Sequence, residues 1–204
     1  MLQLPLEKNG QPPKKLSLSL NKASRFIVEL WWKTEHDLDA HALLATNSGQ
    51  GAKVDAFEKV LSTYNCKRPG SQSGVLAVNA NKSFNTPDGA LHHSGDSLDG
   101  RTADIDEVIT IDGGKIGPEV NEIPIFVTIH PRSQPMTFRE IPDAGIRIKD
   151  DAGKVLGEFQ LTAEFGPFNA VQMGSLIIGA NGWEYAAVGN GFTGDFNTVL
   201  GYFS

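Results

Sequence analysis

Cysteine is almost missing from this chain of 204 residues, where Cys66 stands alone. A single thiol excludes an intrachain disulfide framework and a cysteine-built zinc site, and it fits a reducing compartment. Its expected role is that of a small apolar side chain. Long apolar runs are missing too. No window approaches the roughly 20 apolar residues of a membrane-spanning helix, and the opening MLQLPLEKNGQPPKK has neither the apolar stretch nor the cleavage site of a signal peptide. A cytoplasmic protein without membrane insertion is expected. Basic charge is also short, with 18 Lys and Arg against 24 Asp and Glu and a formal net charge of −6. Binding nucleic acid requires Lys and Arg clustered against phosphate, so no nucleic acid is expected and a cationic partner suits the chain better. Finally, no G-x-S-x-G elbow and no G-x-x-x-x-G-K-[ST] loop occurs. No enzymatic activity is expected.

What is present describes a turn-rich globular chain: 22 Gly, 11 Pro and 11 Phe in a composition that is 40% apolar. Leu16, Leu18 and Leu20 alternate with polar residues, the pattern of a strand buried on one face. Further short runs, at 26–32, 39–45, 107–112, 123–130, 146–150, 155–162, 171–178 and 183–188, are bounded by Gly, Pro, Asp or Asn, as sandwich strands are. Asp150-Asp151-Ala152-Gly153 reads as a tight hairpin. Residues 46–93 read mostly as loop, with a helix-compatible segment at 54–62 and a Gly/Ser/Asn-rich run at 69–87. No helical pattern is long enough for a parallel α/β sheet. The expected architecture is all-β, an antiparallel β-sandwich with one or two short helices. Residues 1–15 form a leader and residues 16–204 a single domain. Phe26, Trp31, Trp32 and Trp183 are expected in its core.

Two patterns are set aside. Gly189-Asn190-Gly191-Phe192-Thr193-Gly194 satisfies the dinucleotide fingerprint, but ten residues after it cannot supply the helix, second strand and acid that give the motif its mechanism. Glycines closing the last strands are expected instead. His36, His41, His92 and His93 suggest a transition-metal site. Adjacent histidines on a strand face opposite ways, however, and the neighbouring ligands are oxygens. His93 is expected to hydrogen-bond within its loop.

The densest chemistry is acidic. Asp96, Asp99, Asp104, Asp106 and Glu107 place five carboxylates within twelve residues. Such charges repel unless a cation lies between them, and a hard divalent cation with six to eight oxygen ligands is the usual solution. A second patch, Glu35-His36-Asp37-Leu38-Asp39, lies where one strand hands over to the next. On an extended segment Asp37 and Asp39 point to the same side. Acidic runs are usually solvated surface, so composition leaves two readings open, a solvated loop or a calcium site. An EF-hand is excluded by spacing.

The same residues carry a resemblance. Asp37-Leu38-Asp39-Ala40-His41-Ala42 is similar to the Asp-Leu-Asp-Ala-Ser-Ala signature of the TerD family, associated with tellurite resistance and general stress response. His92-His93-Ser94-Gly95-Asp96-Ser97-Leu98-Asp99-Gly100, closed by Asp106-Glu107-Val108-Ile109, resembles that family's His-Ser-Gly-Asp-Asn-x-Thr-Gly loop ending in Gly-Asp-Asp-Glu-x-Ile. Weaker echoes are Ser17-Leu18-Ser19-Leu20, Tyr64-Asn65, Val127-Thr128-Ile129-His130 and Trp183-Glu184-Tyr185. The resemblance implies a β-sandwich with two neighbouring calcium ions at one end and no catalytic machinery. It transfers Asp37, Asp39, Asp96, Asp106 and Glu107 as ligand candidates, with Asn65 as an oxygen donor. Asp99 and Asp104 complete the acid set, and Asp39, Asp96, Asp106 and a bidentate Glu107 are the core of it. The sequence departs from the family at Ser97 (Asn), Asp99 (Thr), Asp104 (Gly) and Ile105 (Asp), so one or two Ca2+ ions are implied. The lead reading is a calcium-dependent stress-response binding or scaffold module with a protein partner, oligomerisation being compatible with it. The alternative is a structural component of a larger assembly such as a phage particle, with residues 69–87 making the contacts.

Overall fold

The computed structural model describes residues 15–18, 20–70, 73–101, 104–133 and 136–204, and the backbone alone of Lys15 and Leu16. The expected leader lies almost wholly outside them. In chain order the strands are β1 (Lys15–Ser17), β2 (Arg25–Trp31), β3 (Leu38–Leu43), β4 (Thr46–Asn47), β5 (Ala52–Lys53), β6 (Val60–Leu61), β7 (Phe84–Asn85), β8 (Leu91–His93) and β9 (Glu107–Asp112). They continue with β10 (Glu122–Ile129), β11 (Gly145–Asp150), β12 (Val155–Gln160), β13 (Ala170–Gly179) and β14 (Gly182–Phe192). Two short helices, α1 (Leu161–Glu164) and α2 (Phe196–Leu200), complete the α content.

Two six-stranded sheets form the antiparallel sandwich, one in the order β1-β14-β13-β10-β3-β6 and the other β12-β11-β2-β9-β8-β7. The strands are where alternation puts them. In β2, Phe26, Val28 and Leu30 are buried while Ile27, Glu29 and Trp31 lie on the outer face. β9 repeats this period of two, so Glu107, Ile109 and Ile111 all point inward. A carboxylate therefore ends the core face of β9. β10 is buried along nearly its whole length, as its unbroken apolar run requires of a central strand. Between the sheets, Tyr185 is fully buried, with its ring packed on Gly157 of β12 and Gly174 of β13, where side chains would collide with it.

The β11–β12 hairpin turns at Gly153, whose φ of 81° is open to glycine at no steric cost. The fingerprint-like glycines end β14, and Gly191 is needed there because the Phe168 ring lies against it. Asp195 then caps α2 by accepting from the Thr198 amide at 2.9 Å.

Two expectations need correction. The helix-compatible segment at 54–62 holds only one 3₁₀ turn, Phe57–Lys59, and then β6, because Val60 and Leu61 are both buried beside β3. The run at 69–87 is mostly loop, as expected, but anchored: Leu76 and Phe84 are buried, Leu76 bridges Cys66, and Phe84 pairs with His93. Trp31 is not in the core, since the alternation of β2 puts it outside, where it packs against Gly145 under the guanidinium of Arg147.

The Tyr185 hydroxyl is buried without a hydrogen-bond partner among the described residues. An unpaired buried hydroxyl costs about 1–3 kcal/mol, whereas its removal leaves no orphan. Tyr185→Phe is accordingly expected to hold or raise the melting temperature. A loss of stability in thermal or urea unfolding would show that the hydroxyl has a partner.

Candidate metal centre at the end of the sandwich

Sheet pairing at one end of the sandwich stops short, and acidic side chains take its place. β6 meets β3 only at Ala42 and Leu43, which leaves the Ala40 amide to another acceptor. Glu107 supplies it. Its Oε2 accepts from Ala40 N at 2.8 Å, and its Oε1 accepts from Ser97 N at 3.3 Å. One carboxylate thereby fastens the second sheet to the edge of the first and to the loop after β8.

Asp39 lies on β3 opposite Thr128 of β10. Its Oδ2 accepts from the Tyr64 hydroxyl at 2.6 Å, and its Oδ1 is buried without a partner. Asp37, just before β3, is held through its carbonyl by the His130 amide at 2.8 Å. Its Oδ2 takes the Arg132 guanidinium at 2.6 Å, and its Oδ1 is again a buried orphan. Asp96 is aimed by the turn that follows β8. Ser94 N donates to Val108 O at 2.9 Å, and Gly95, at a φ of 124°, donates to His93 Nδ1 at 3.1 Å. The Oδ1 of Asp96 is a third orphan.

The structure thus joins Asp37, Asp39 and Asp96. A carboxylate oxygen from each lies within 4.8 Å of the others, the only such group of three among the described residues. The same-side expectation for Asp37 and Asp39 agrees with this. Glu107 is electrostatically part of the group. Burial, and then the charges of Glu107, Asp37 and Asp96, push the Asp39 carboxyl well above its usual range, although the Tyr64 hydroxyl pulls it down. Burial likewise drives Glu107 well up, against the Ala40 amide. Burial raises Asp37 as well, with Arg132 opposing. His93 offers no compensating charge, because burial holds it down at about 4, and its Nε2 lies 3.4 Å from Glu107 Oε2.

The other candidates fall elsewhere. Asp106 Oδ2 accepts from Trp32 N at 3.0 Å, and its amide donates to Leu30 O, so Asp106 closes the end of β2 beside β9. Its Oδ1 is a buried orphan too, but the acid that raises it is Asp99, not one of the three. Asp99 folds back on Arg101, accepting from its backbone amide at 3.2 Å and meeting its guanidinium at 3.5 Å. Asp104 is exposed. Asn65 spends its amide nitrogen on the carbonyls of Phe57 and Val60. Sequence reasoning missed Arg132 and the hydroxyl of Tyr64, which reach the site from distant loops without any local signal.

The imidazoles do not gather into a site of their own. His92 is exposed and His93 buried, as a strand demands, and His93 stacks on Phe84. His41 is fully buried, with Nε2 3.0 Å from Thr128 Oγ1. Burial raises the Cys66 thiol to about 11, which keeps it protonated. Among the described residues no helix is long and apolar enough to cross a membrane.

Comparison with known proteins agrees with the fold and with the family resemblance. The chain is 28% identical over 189 residues to the tellurium resistance protein TerD of Serratia marcescens, covering 90% of this chain and 91% of that one. It is 24% identical over 180 residues to general stress protein 16U of Bacillus subtilis, with 84% and 82% covered. An uncharacterized Bacillus subtilis protein, YceE, is 32% identical over 110 residues, 53% of this chain and 57% of that one. Among solved structures, a Streptomyces coelicolor homologue of the telluride resistance protein TerD superposes with a TM-score of 0.66 at 20% identity, covering 87% of this chain and 95% of that one. The TerD domain model matches residues 6–203, and the chain belongs to the TerD domain family.

Proposed function

We propose that this chain is a non-enzymatic calcium-binding module that acts as a stress-response binding or scaffold protein for a protein partner. One observation carries the metal reading, namely that Asp37, Asp39 and Asp96, whose carboxylates approach within 4.8 Å of one another, each keep a buried oxygen without a donor. Buried acceptors lacking donors cost free energy, and like charges at this spacing raise that cost. A hard cation removes both penalties, and the all-oxygen donor set suits calcium over softer metals. Asp37, Asp39 and Asp96 would hold the ion. Glu107, with both oxygens already on backbone amides, would orient the loop that brings Asp96 in. The stress-response assignment rests on the relatives named for tellurium resistance and general stress. A binding or scaffold role accords with a Cys66 thiol that burial keeps protonated.

Calcium is expected to stabilise the fold. Ligand at a hundredfold excess over its dissociation constant adds about 2.7 kcal/mol, a rise of roughly 5–10 °C for a chain of this size. Differential scanning fluorimetry in chelator and in millimolar calcium reads it, and an identical melting temperature in both sinks the proposal.

The ligand assignment predicts opposite signs. Asp39→Asn relieves repulsion in the ion-free protein and is expected to raise its melting temperature while abolishing the calcium-induced rise. Asp96→Asn is expected to weaken calcium by about tenfold or more through loss of one charged ligand. Asp99→Asn and Asp104→Asn should leave calorimetric affinity within about twofold, since neither reaches the group. Equal affinity for Asp96→Asn and the unmodified chain would refute the assignment.

Acid should compete with calcium. Because the Asp39 and Glu107 carboxyls sit above their unfolded values, the ion-free fold is favoured at low pH and loses that advantage as pH rises through them. Calcium displaces those protons, so its stabilising effect is expected to shrink as pH falls from neutrality through the raised carboxyls. A calcium-induced shift that stays constant as pH is lowered would place the ion on other ligands.

A further inference from the structure

A cleft of about 470 Å³ adjoins the acidic group and shares Asp96 with it. Arg68, Lys82, Arg132 and His130 line it, along with the apolar side chains of Val78 and Leu98, which are 46% and 55% exposed. Three permanent cations around one cleft stand out in a chain of net charge −6. Arg132 is partly committed to Asp37. Its backbone N and its Nε both donate to His130 Nδ1, at 3.0 and 3.3 Å, which puts the proton of the neutral imidazole on Nε2 and makes that nitrogen a donor. Arg68 and Lys82 are exposed, and their side chains form no hydrogen bond or ion pair among the described residues. Every polar group lining the cleft except Asp96, Thr63 and the Cys66 thiol is therefore a cationic or imidazole donor.

We propose that this cleft binds a small phosphate monoester, with Arg68, Lys82 and Arg132 holding the oxyanion and Val78 and Leu98 covering its apolar substituent. A guanidinium offers two parallel donors to a phosphate and an ammonium offers a compact charge, so the pair grips the group from two sides. The affinity rests in part on the calcium reading above. With a divalent cation among the carboxylates, the basic side chains would leave the region net positive, opposite in sign to a monoester at neutral pH. Three carboxylates would also leave a calcium ion short of its usual six to eight oxygen ligands, and Asp96 lines the cleft as well. Without the cation, Asp96 faces the phosphate with like charge and weakens it.

Isothermal titration of the full chain with phenyl phosphate and with inorganic phosphate, each in submillimolar calcium and in chelator, tests this. Phenyl phosphate is expected to bind saturably, more tightly than inorganic phosphate and more tightly with calcium than without. The double variant Arg68→Gln/Lys82→Gln, altered only at exposed side chains, is expected to lose about tenfold or more in phenyl phosphate affinity through the charge-assisted bonds removed, while still binding calcium. Absence of saturable binding, equal binding by the double variant, or equal affinity for inorganic phosphate overturns the proposal. Phenyl phosphate binding that depends on Arg68 and Lys82 in a chain that takes no calcium upholds the cleft and refutes the cation reading, so the two fail separately.

Discussion

Repulsion among four carboxylates is the constraint that the end of this sandwich is built around. Asp37, Asp39, Asp96 and Glu107 come from the β2–β3 junction, β3, the loop after β8 and the start of β9, so both sheets contribute. Three of the four have one partial remedy: Arg132 for Asp37, the Tyr64 hydroxyl for Asp39, two backbone amides for Glu107. None of these reaches the remaining oxygens of the three aspartates. Any one Asn in place of these aspartates would lower the charge, and the proposed hard cation would offset it without a substitution.

The fold bears the strain because its rigidity lies just behind the acids. Ile109 and Ile111 continue the face that Glu107 begins, and Leu38, Ala40 and Ala42 continue the other face of β3 into the same core. Moving any of the four carboxylates far from the others would require pulling a strand end out of that core. Hydrophobic burial, roughly 25 cal/mol per Å² of apolar surface, thus holds the charged groups at a spacing they would not choose. Glu107 makes the coupling explicit, since its bond to the Ala40 amide replaces a strand hydrogen bond that β6 is too short to supply.

The long strands were legible because alternation is a direct consequence of burying one face. It located β9 to the residue, and the same alternation turns Glu107 inward. The short strands between Thr46 and His93 were not legible, since β4 to β7 are two residues each and two residues have no period. Leu76 and Phe84 anchor that stretch through contacts that polar neighbours conceal. At the site, Asp37 and Asp39 could be paired because they share a strand end, and Asp96 and Glu107 because they bracket one loop. Arg132 lies 95 residues from Asp37, and Tyr64 lies 25 from Asp39, so both pairings are products of topology that no local pattern announces. The grouping of Asp106 with the ligands failed for the opposite reason. Asp106 stands just before β9, and its carboxylate is taken by the Trp32 amide at the end of β2, away from the group of three.

The departures from the family pattern can be sorted on the same physical ground. Residue 97 contributes its amide to Glu107, which any side chain permits, and the Ser97 hydroxyl merely donates to the Asp99 carbonyl. Asp99 is neutralised within its own turn by Arg101, and Asp104 is exposed. Neither Asp99 nor Asp104 belongs to the group of Asp37, Asp39 and Asp96. Acid at the outer turn of the loop has water and is not obliged to find a cation, whereas the orphan oxygens of Asp37, Asp39 and Asp96 are buried away from it.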